Sequence, residues 1–338
     1  VTESGARAGT GGTGTPGSPA ANGPAVLPGV VDRHVHLGLV AYEALAGSPV
    51  VEVHDLGWDP AEIRGIAAEL SGVRVRYAGP FHTAPGGYPS GRSWAPEGSV
   101  REVETVADAG AAVAEARAAG SSAIKITLHA GFPALSDELL AALVSAARAA
   151  GVPAVVHAEG DGQARRAIEA GADALVHAPW TERLPDELLR RSATQGIEWI
   201  STLAIHSGDD LERALDNARR YAALGGPIAY GTDLGNGPAP VGVNEREIEL
   251  LGEIGLGGGR LLEAVMPAAD PAGFLASPEP PPRTAAELVA WLRAAHRFPH
   301  GLNERSTHPA PELPKESQDP LHGFCDCAQN DDDQKEHP

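Results

Sequence analysis

Apolar and polar positions along this chain alternate with two periods, and the two succeed one another in a regular order. Apolar runs of strand length lie at Val26 to Val35, Pro49 to Leu56 and Val73 to Gly79. They recur at Ala123 to Leu128, Pro153 to His157, Ala174 to His177, Glu198 to Thr202 and Pro227 to Gly231. Between them, apolar residues return every three or four positions, the spacing of one helix face. Those stretches run from Asp59-Pro60 to Leu70 and from Val100 to Ala119, then over Asp137 to Ala150, Gln163 to Ala170, Pro185 to Gln195, Asp209 to Leu224 and Asn244 to Ile254. Asp59-Pro60 reads as a helix start, because an Asp side chain accepts from the first free N–H groups and Pro forfeits no bond at the first position. Eight strands alternating with helices through short Gly-marked turns predict an α/β fold, a (β/α)8 TIM-type barrel, with a doubly wound open sheet as the competing arrangement.

Three stretches depart from this rhythm. Pro80 to Gly98 is rich in Gly and Pro and too long for a simple connection, so it reads as a functional loop. Residues 1–24 are Gly, Ser, Thr, Pro and Ala with almost no large apolar side chain, a composition that cannot offset the entropy of ordering. They are expected to be disordered. After the eighth unit, Arg260 to Ala269 and Thr284 to Arg297 read as further helices, and periodicity is lost from Pro299 onward. The expected organisation is a disordered segment 1–24, a barrel with C-terminal helices over 25–298, and a disordered acidic tail 299–338.

Composition narrows the partners. Aromatic residues are only 4% of the 338, so the core must rest on Val, Leu, Ile and Ala. The formal charge is −19, and residues 301–338 alone hold nine Asp/Glu against three Lys/Arg. Nucleic acid and anionic membrane surfaces both need a basic footprint, and both are excluded as main partners. No apolar run approaches the ~20 residues of a membrane span, and the first residues lack an apolar signal core. A cytoplasmic protein with a small-molecule substrate is expected, with self-association into a homo-oligomer left open. Cys325 and Cys327 both fall in the tail, so no disulfide framework is expected. Cys-x-Cys with His322 lacks the usual zinc spacing and reads as solvated coil.

The chemistry gathers at the ends of the predicted strands. Asp32, His34 and His36 are two apart and therefore share one face of the first strand. Two imidazoles so placed can converge on one metal ion, although an isolated His-x-His is more often a pair of satisfied core histidines. On the fourth strand Ala123, Lys125, Thr127 and His129 share one face, and Ile124, Ile126 and Leu128 the other. The isoleucine face should meet the helices, which turns Lys125 inward. Burial lowers the pKa of an amine and makes it able to take up CO₂ as a carbamate; pairing with Asp32 or Asp233 is the plainer alternative. The fifth, sixth and eighth strands end at His157, His177 and Asp233. Four histidines, a lysine and an aspartate at C-terminal strand ends of one barrel point to metal.

These stretches resemble the amidohydrolase superfamily, in particular its carboxylated-lysine, binuclear branch with imidazolonepropionase-like enzymes and Xaa-Pro dipeptidase relatives. The resemblance rests on Pro28 to His36, Ala123 to Ile126, Val156-His157-Ala158, Leu175-Val176-His177 and Tyr230 to Gly235. It implies one metal held by His34, His36 and Asp233, a second held by His157 and His177, and a carboxylated Lys125 bridging both together with a hydroxide. Zinc is the expected metal, with iron or manganese as substitutes. The chain departs from the family in two ways. Neither flank reads as the accessory β-sandwich, so the barrel is expected to stand alone, and Tyr88 occupies a loop position where His is expected.

The implied reaction is hydrolysis of an amide, cyclic amide or ester of a small molecule, with Asp233 as proton shuttle. His206, His129 and Tyr88 are the candidates for stabilising an oxyanion. His54, Asp55 and His82 lie near strand ends without an assigned role. A di-iron oxygenase on the same ligands is the alternative function. A mononuclear deaminase is a lesser one, because Glu159 falls two residues after His157 rather than three.

Overall fold

Parallel strands need a crossover of a dozen or more residues between them, and the helical segments of this chain supply it. The computed structural model describes residues 24–298. Its first half runs β1 (Ala25–Pro28), β2 (Val30–Val35), β3 (Val50–Asp55), α1 (Pro60–Glu69), β4 (Arg74–Tyr77), β5 (Phe81–Thr83), β6 (Val100–Glu102), α2 (Val106–Ala118), β7 (Ile124–His129) and α3 (Asp137–Ala149). It continues with β8 (Ala154–Glu159), α4 (Gln163–Ala170), β9 (Ala174–Val176), α5 (Asp186–Gln195), β10 (Glu198–Ile200), α6 (Gly208–Ala223) and β11 (Ile228–Ala229). After the barrel come α7 (Glu245–Glu253), α8 (Gly258–Val265), β12 (Phe274–Ser277), α9 (Ala285–Ala294) and β13 (His296–Phe298). The helix starts follow the capping chemistry: Asp59 Oδ1 accepts from the Ala61 and Glu62 N–H groups, and Thr284 and Glu287 form a reciprocal capping box.

Two parallel sheets make the barrel, one in the order β2-β3-β4 and one in the order β11-β10-β9-β8-β7-β5-β6. Backbone hydrogen bonds join them at both seams. The Ser122 N–H donates to the Tyr77 carbonyl at 2.8 Å on one side. On the other, Arg33 N–H reaches the Tyr230 carbonyl at 3.1 Å and His36 N–H the Leu234 carbonyl at 2.7 Å. Thus β4 and β5 are consecutive parts of the third barrel strand, and the predicted loop from Pro80 begins later than expected, after Thr83.

The predicted strand Val26 to Val35 is two strands in two sheets. β1 pairs antiparallel with β12, and β12 with β13, in a small sheet outside the barrel. The break falls at Gly29, whose N–H donates to the Gly273 carbonyl at 2.8 Å. A Cβ there would lie 2.2 Å from a Val51 methyl, so the chain crosses between sheets where only Gly fits. The barrel therefore carries a three-stranded sheet drawn from both flanks, where it was expected to stand alone. The two later strands were hidden because β12 lies in a Pro-rich stretch and β13 continues a helical pattern.

Ile124, Ile126 and Leu128 are fully buried in the main core between strands and helices, as their shared face requires. Ala123 and Val155, two residues before Lys125 and His157, pack in a separate cluster with Leu56, Ala78, Ala174, Val176 and Ile200. The barrel interior is thus filled beneath Lys125 and His157, and the polar side chains lie above that plug. Among the described residues, no helix is long and apolar enough to cross a membrane.

Candidate metal centre

Alternation along β2 turns His34 and His36 to the same side, and both are buried. Asp233 follows β11 with a φ of 52°, a left-handed conformation that aims its carboxylate at the two imidazoles. Its Oδ1 lies 3.3 Å from His34 Nε2 and 3.3 Å from His36 Nε2, and the three ligand atoms fall within 4.8 Å of one another. His177 adds Nε2 at 4.0 Å from the other oxygen of Asp233. Ring centroids place His177 5.1 Å from His34 and 5.3 Å from His157. Lys125, His157 and these groups line one cavity of about 810 Å³ at the C-terminal strand ends.

The proton positions follow from the partners. His36 Nδ1 faces the Gly57 carbonyl at 3.1 Å, an acceptor only, so Nδ1 carries the hydrogen and Nε2 keeps its lone pair. His157 is the reverse case. Its Nε2 donates to Glu159 at 3.1 Å, which leaves Nδ1 as the free lone pair. Both ring nitrogens of His34 and Oδ1 of Asp233 are buried without a hydrogen-bond partner. Unsatisfied buried groups are costly, each by about 1–3 kcal/mol, and His34 Nε2 and Asp233 Oδ1 face each other at 3.3 Å. A divalent cation would satisfy those two atoms together, so the donor set fits a metal ion. Burial holds the His34 and His177 imidazoles well below their ordinary range and lowers His157 too, favouring the neutral ligand form. Burial alone would raise Asp233, but the imidazoles of His34, His36 and His177 hold its carboxyl well below the usual range. Burial pushes the Lys125 amine down to about 7, against the attraction of Asp233 and Asp55.

The other candidates separate by position. Tyr88 lines the cavity with its ring stacked on His157, 5.4 Å between centroids, and burial pushes its hydroxyl up to about 12, so it remains a donor. His206 lines the opposite side, held at about 4 by burial, with Nε2 buried and unpartnered. His129 stands behind Tyr88 and 3.3 Å from Glu159. His54 pairs with Glu52 at 2.9 Å and faces a different cavity of about 460 Å³. His82 is buried with Nδ1 against the Lys125 carbonyl at 3.0 Å. Cys325, Cys327 and His322 lie outside the described residues.

Asp32 shares a strand face with the histidines yet has another task. Its carboxylate accepts from the Thr232 hydroxyl at 2.5 Å, the Thr232 N–H at 3.0 Å and the His34 N–H at 3.1 Å. It ties the first barrel strand to the turn that carries Asp233, and it does not pair with Lys125. Asp55 accepts from the Leu37 and Gly57 N–H groups at 2.8 and 3.2 Å, shaping the turn whose carbonyl orients His36. Glu247, on α7, accepts from the Leu203 and Ala204 N–H groups at 3.0 and 2.7 Å and holds the turn that leads to His206. Sequence reasoning left Asp55 without a role and passed over Glu247, Trp94 and Trp180. Their partners are backbone groups or rings that only the folded chain brings close.

No protein-family model matches the sequence, and no curated protein does either. Solved structures do match the fold. A Xaa-Pro dipeptidase with methionine bound in its active site superposes with a TM-score of 0.61 at 21% identity, over 80% of this chain and 84% of that one. An ochratoxinase from A. niger gives 0.62 at 18% identity, covering 82% of each chain. An amidohydrolase gives 0.65 at 18% identity, over 86% of this chain and 91% of that one. The chain shares the fold of these enzymes, in agreement with the superfamily resemblance carried by its strand ends.

Proposed function

We propose that this protein is a metal-dependent hydrolase of the amidohydrolase type, cleaving an amide, cyclic amide or ester bond of a small molecule. The observation that carries the reading is the convergence of His34, His36 and Asp233 within 4.8 Å of one another, with His34 Nε2 and Asp233 Oδ1 buried and unsatisfied. The fold shared with a Xaa-Pro dipeptidase, an ochratoxinase and an amidohydrolase supports it.

In this reading His34, His36 and Asp233 would hold one divalent ion, His157 and His177 would hold a second, and Lys125, as its carbamate, would supply a further carboxylate ligand. An amine near neutrality reacts with CO₂, and Lys125 is such an amine. Divalent ions bound there would lower the pKa of water and polarise the scissile carbonyl. Asp233 accepts the proton of the attacking water and delivers it to the leaving nitrogen or oxygen. Tyr88, protonated at neutral pH, and His206 stand on either side of the centre as hydrogen-bonding groups for the carbonyl oxygen as charge develops on it.

The test is elemental analysis of the full chain purified without added metal, followed by a panel of amides, lactams and esters. About two zinc or manganese ions per chain with hydrolysis of at least one member is the expected result. About two iron ions with O₂ uptake would replace this reading with oxygen chemistry on the same ligands.

A further inference from the structure

We infer that the cavity selects a substrate bearing an aromatic ring and no carboxylate, so that ring stacking, not ion pairing, positions the scissile bond. This rests on the hydrolase reading above. The chain has only fifteen Phe, Trp and Tyr residues in 338, yet Phe81, Tyr88, Trp94 and Trp180 all line this one cavity. They form two walls. Trp94 lies 6.0 Å from Phe81 and 6.2 Å from Tyr88, with His36 at 6.5 Å, which makes a continuous aromatic surface on one side of the centre. On the other side Trp180 packs on His206 at 4.7 Å, and His206 lies 6.1 Å from His177. Each wall meets a candidate metal ligand, the first at His36 and the second at His177.

Hydrogen bonds hold the loop that carries the first wall. Tyr88 accepts from the Thr127 hydroxyl through its carbonyl at 2.5 Å, and Glu102 receives the Gly86 N–H and the Ser90 hydroxyl at 2.8 and 3.0 Å. The rings of this wall meet at 52–79° to one another and offer faces and edges to an aromatic group at little cost in ordering. The charges point the same way. The Lys and Arg residues lining the cavity are Lys125 and Arg246. Lys125 belongs to the candidate centre, and Arg246 donates to Glu249 and Glu253 with half of its side chain in solvent. Glu159 accepts from His157 Nε2 at 3.1 Å, and His129 Nε2 lies 3.3 Å from its other oxygen. A substrate carboxylate would meet no unpaired side-chain cation among the lining residues and would stand beside Glu159.

Three amides that all release methylamine test this on the metal-loaded full chain: N-methylphenylacetamide, N-methylcyclohexylacetamide and N-methyl-(4-carboxyphenyl)acetamide. Binding is followed by calorimetry and turnover by release of the amine. The phenyl amide should bind at least tenfold more tightly than either counterpart and, where cleaved, show at least tenfold higher kcat/KM. Trp94→Ala should erase that preference, and Trp94→Phe should restore it. Equal binding of the cyclohexyl amide, or preference for the carboxylate, overturns the inference even if hydrolysis occurs. Selective binding of the phenyl amide by a protein that cleaves nothing upholds it and overturns the hydrolase reading instead.

Discussion

Asp233 concentrates the most chemistry in one side chain. Its left-handed backbone and its contacts with His34, His36 and His177 make it both a ligand candidate and the nearest acceptor for a proton. Asp233→Asn should keep part of the bound metal and lose about 10²–10⁴-fold in kcat, the usual contribution of a proton-transfer group. Metal analysis paired with steady-state kinetics checks it, and a near-normal rate would remove Asp233 from the mechanism. Glu247 offers a pH test away from the centre. Burial pushes its carboxyl up from 4.5 to about 7. Between those values the folded chain holds a proton that the unfolded chain has released, so stability falls as pH rises through that window. Glu247→Gln cannot lose a proton. Its stability relative to the parent should therefore improve from pH 5 to pH 8, by of order 3 kcal/mol for a shift of that size. Denaturant melts at the two pH values read this out, and a constant difference would contradict it.

Among elements, the short strand β13 does more than its three residues suggest. Arg297 on β13 donates to the carbonyls of Ser48, Leu45, Val50 and Gly72, clamping the outer sheet onto the barrel wall. Arg297→Met should cost about 2 kcal/mol, as expected when charge-assisted bonds to backbone are lost. It should appear as a lower urea midpoint with an unchanged slope, while bound metal stays the same. At this scale much was legible in the chain. The barrel helices fall close to where the 3.6-residue spacing puts them, because burying one face against a sheet demands that spacing. The exception is Val100–Glu102, expected to open the second helix, which forms β6, and the helix begins at Val106. The split at Gly29 and the strands β12 and β13 were not legible. Their pairing is antiparallel and distant in sequence, as with Ala25 opposite Ser277, and local pattern carries no record of such partners.

The whole molecule links metal to stability. An ion bound to the folded chain alone adds about 2.7 kcal/mol when its concentration is a hundred times its Kd. For a barrel of this size each kcal/mol moves the midpoint by roughly 2–4 °C, so a chelator should lower Tm by roughly 5–10 °C. Calorimetry before and after adding back zinc checks this. A Tm indifferent to chelation would argue that the buried ligand atoms need no ion.

What the sequence determined by itself was the barrel and the set of polar side chains at its strand ends, because both are written in local periodicity. Strand residues two apart share a face, and the C-terminal ends of parallel strands meet at one mouth, so His34, His36, Lys125, His157, His177 and Asp233 could be grouped before any coordinate was known. Only the tertiary structure decided which nitrogen of His36 and of His157 is free. It also gave Asp32 to Thr232 instead of Lys125, and set Trp94 beside His36 and Trp180 beside His206 in one cavity. Those outcomes depend on side-chain direction and on partners up to 200 residues apart, distances over which chain pattern fixes nothing and packing fixes everything.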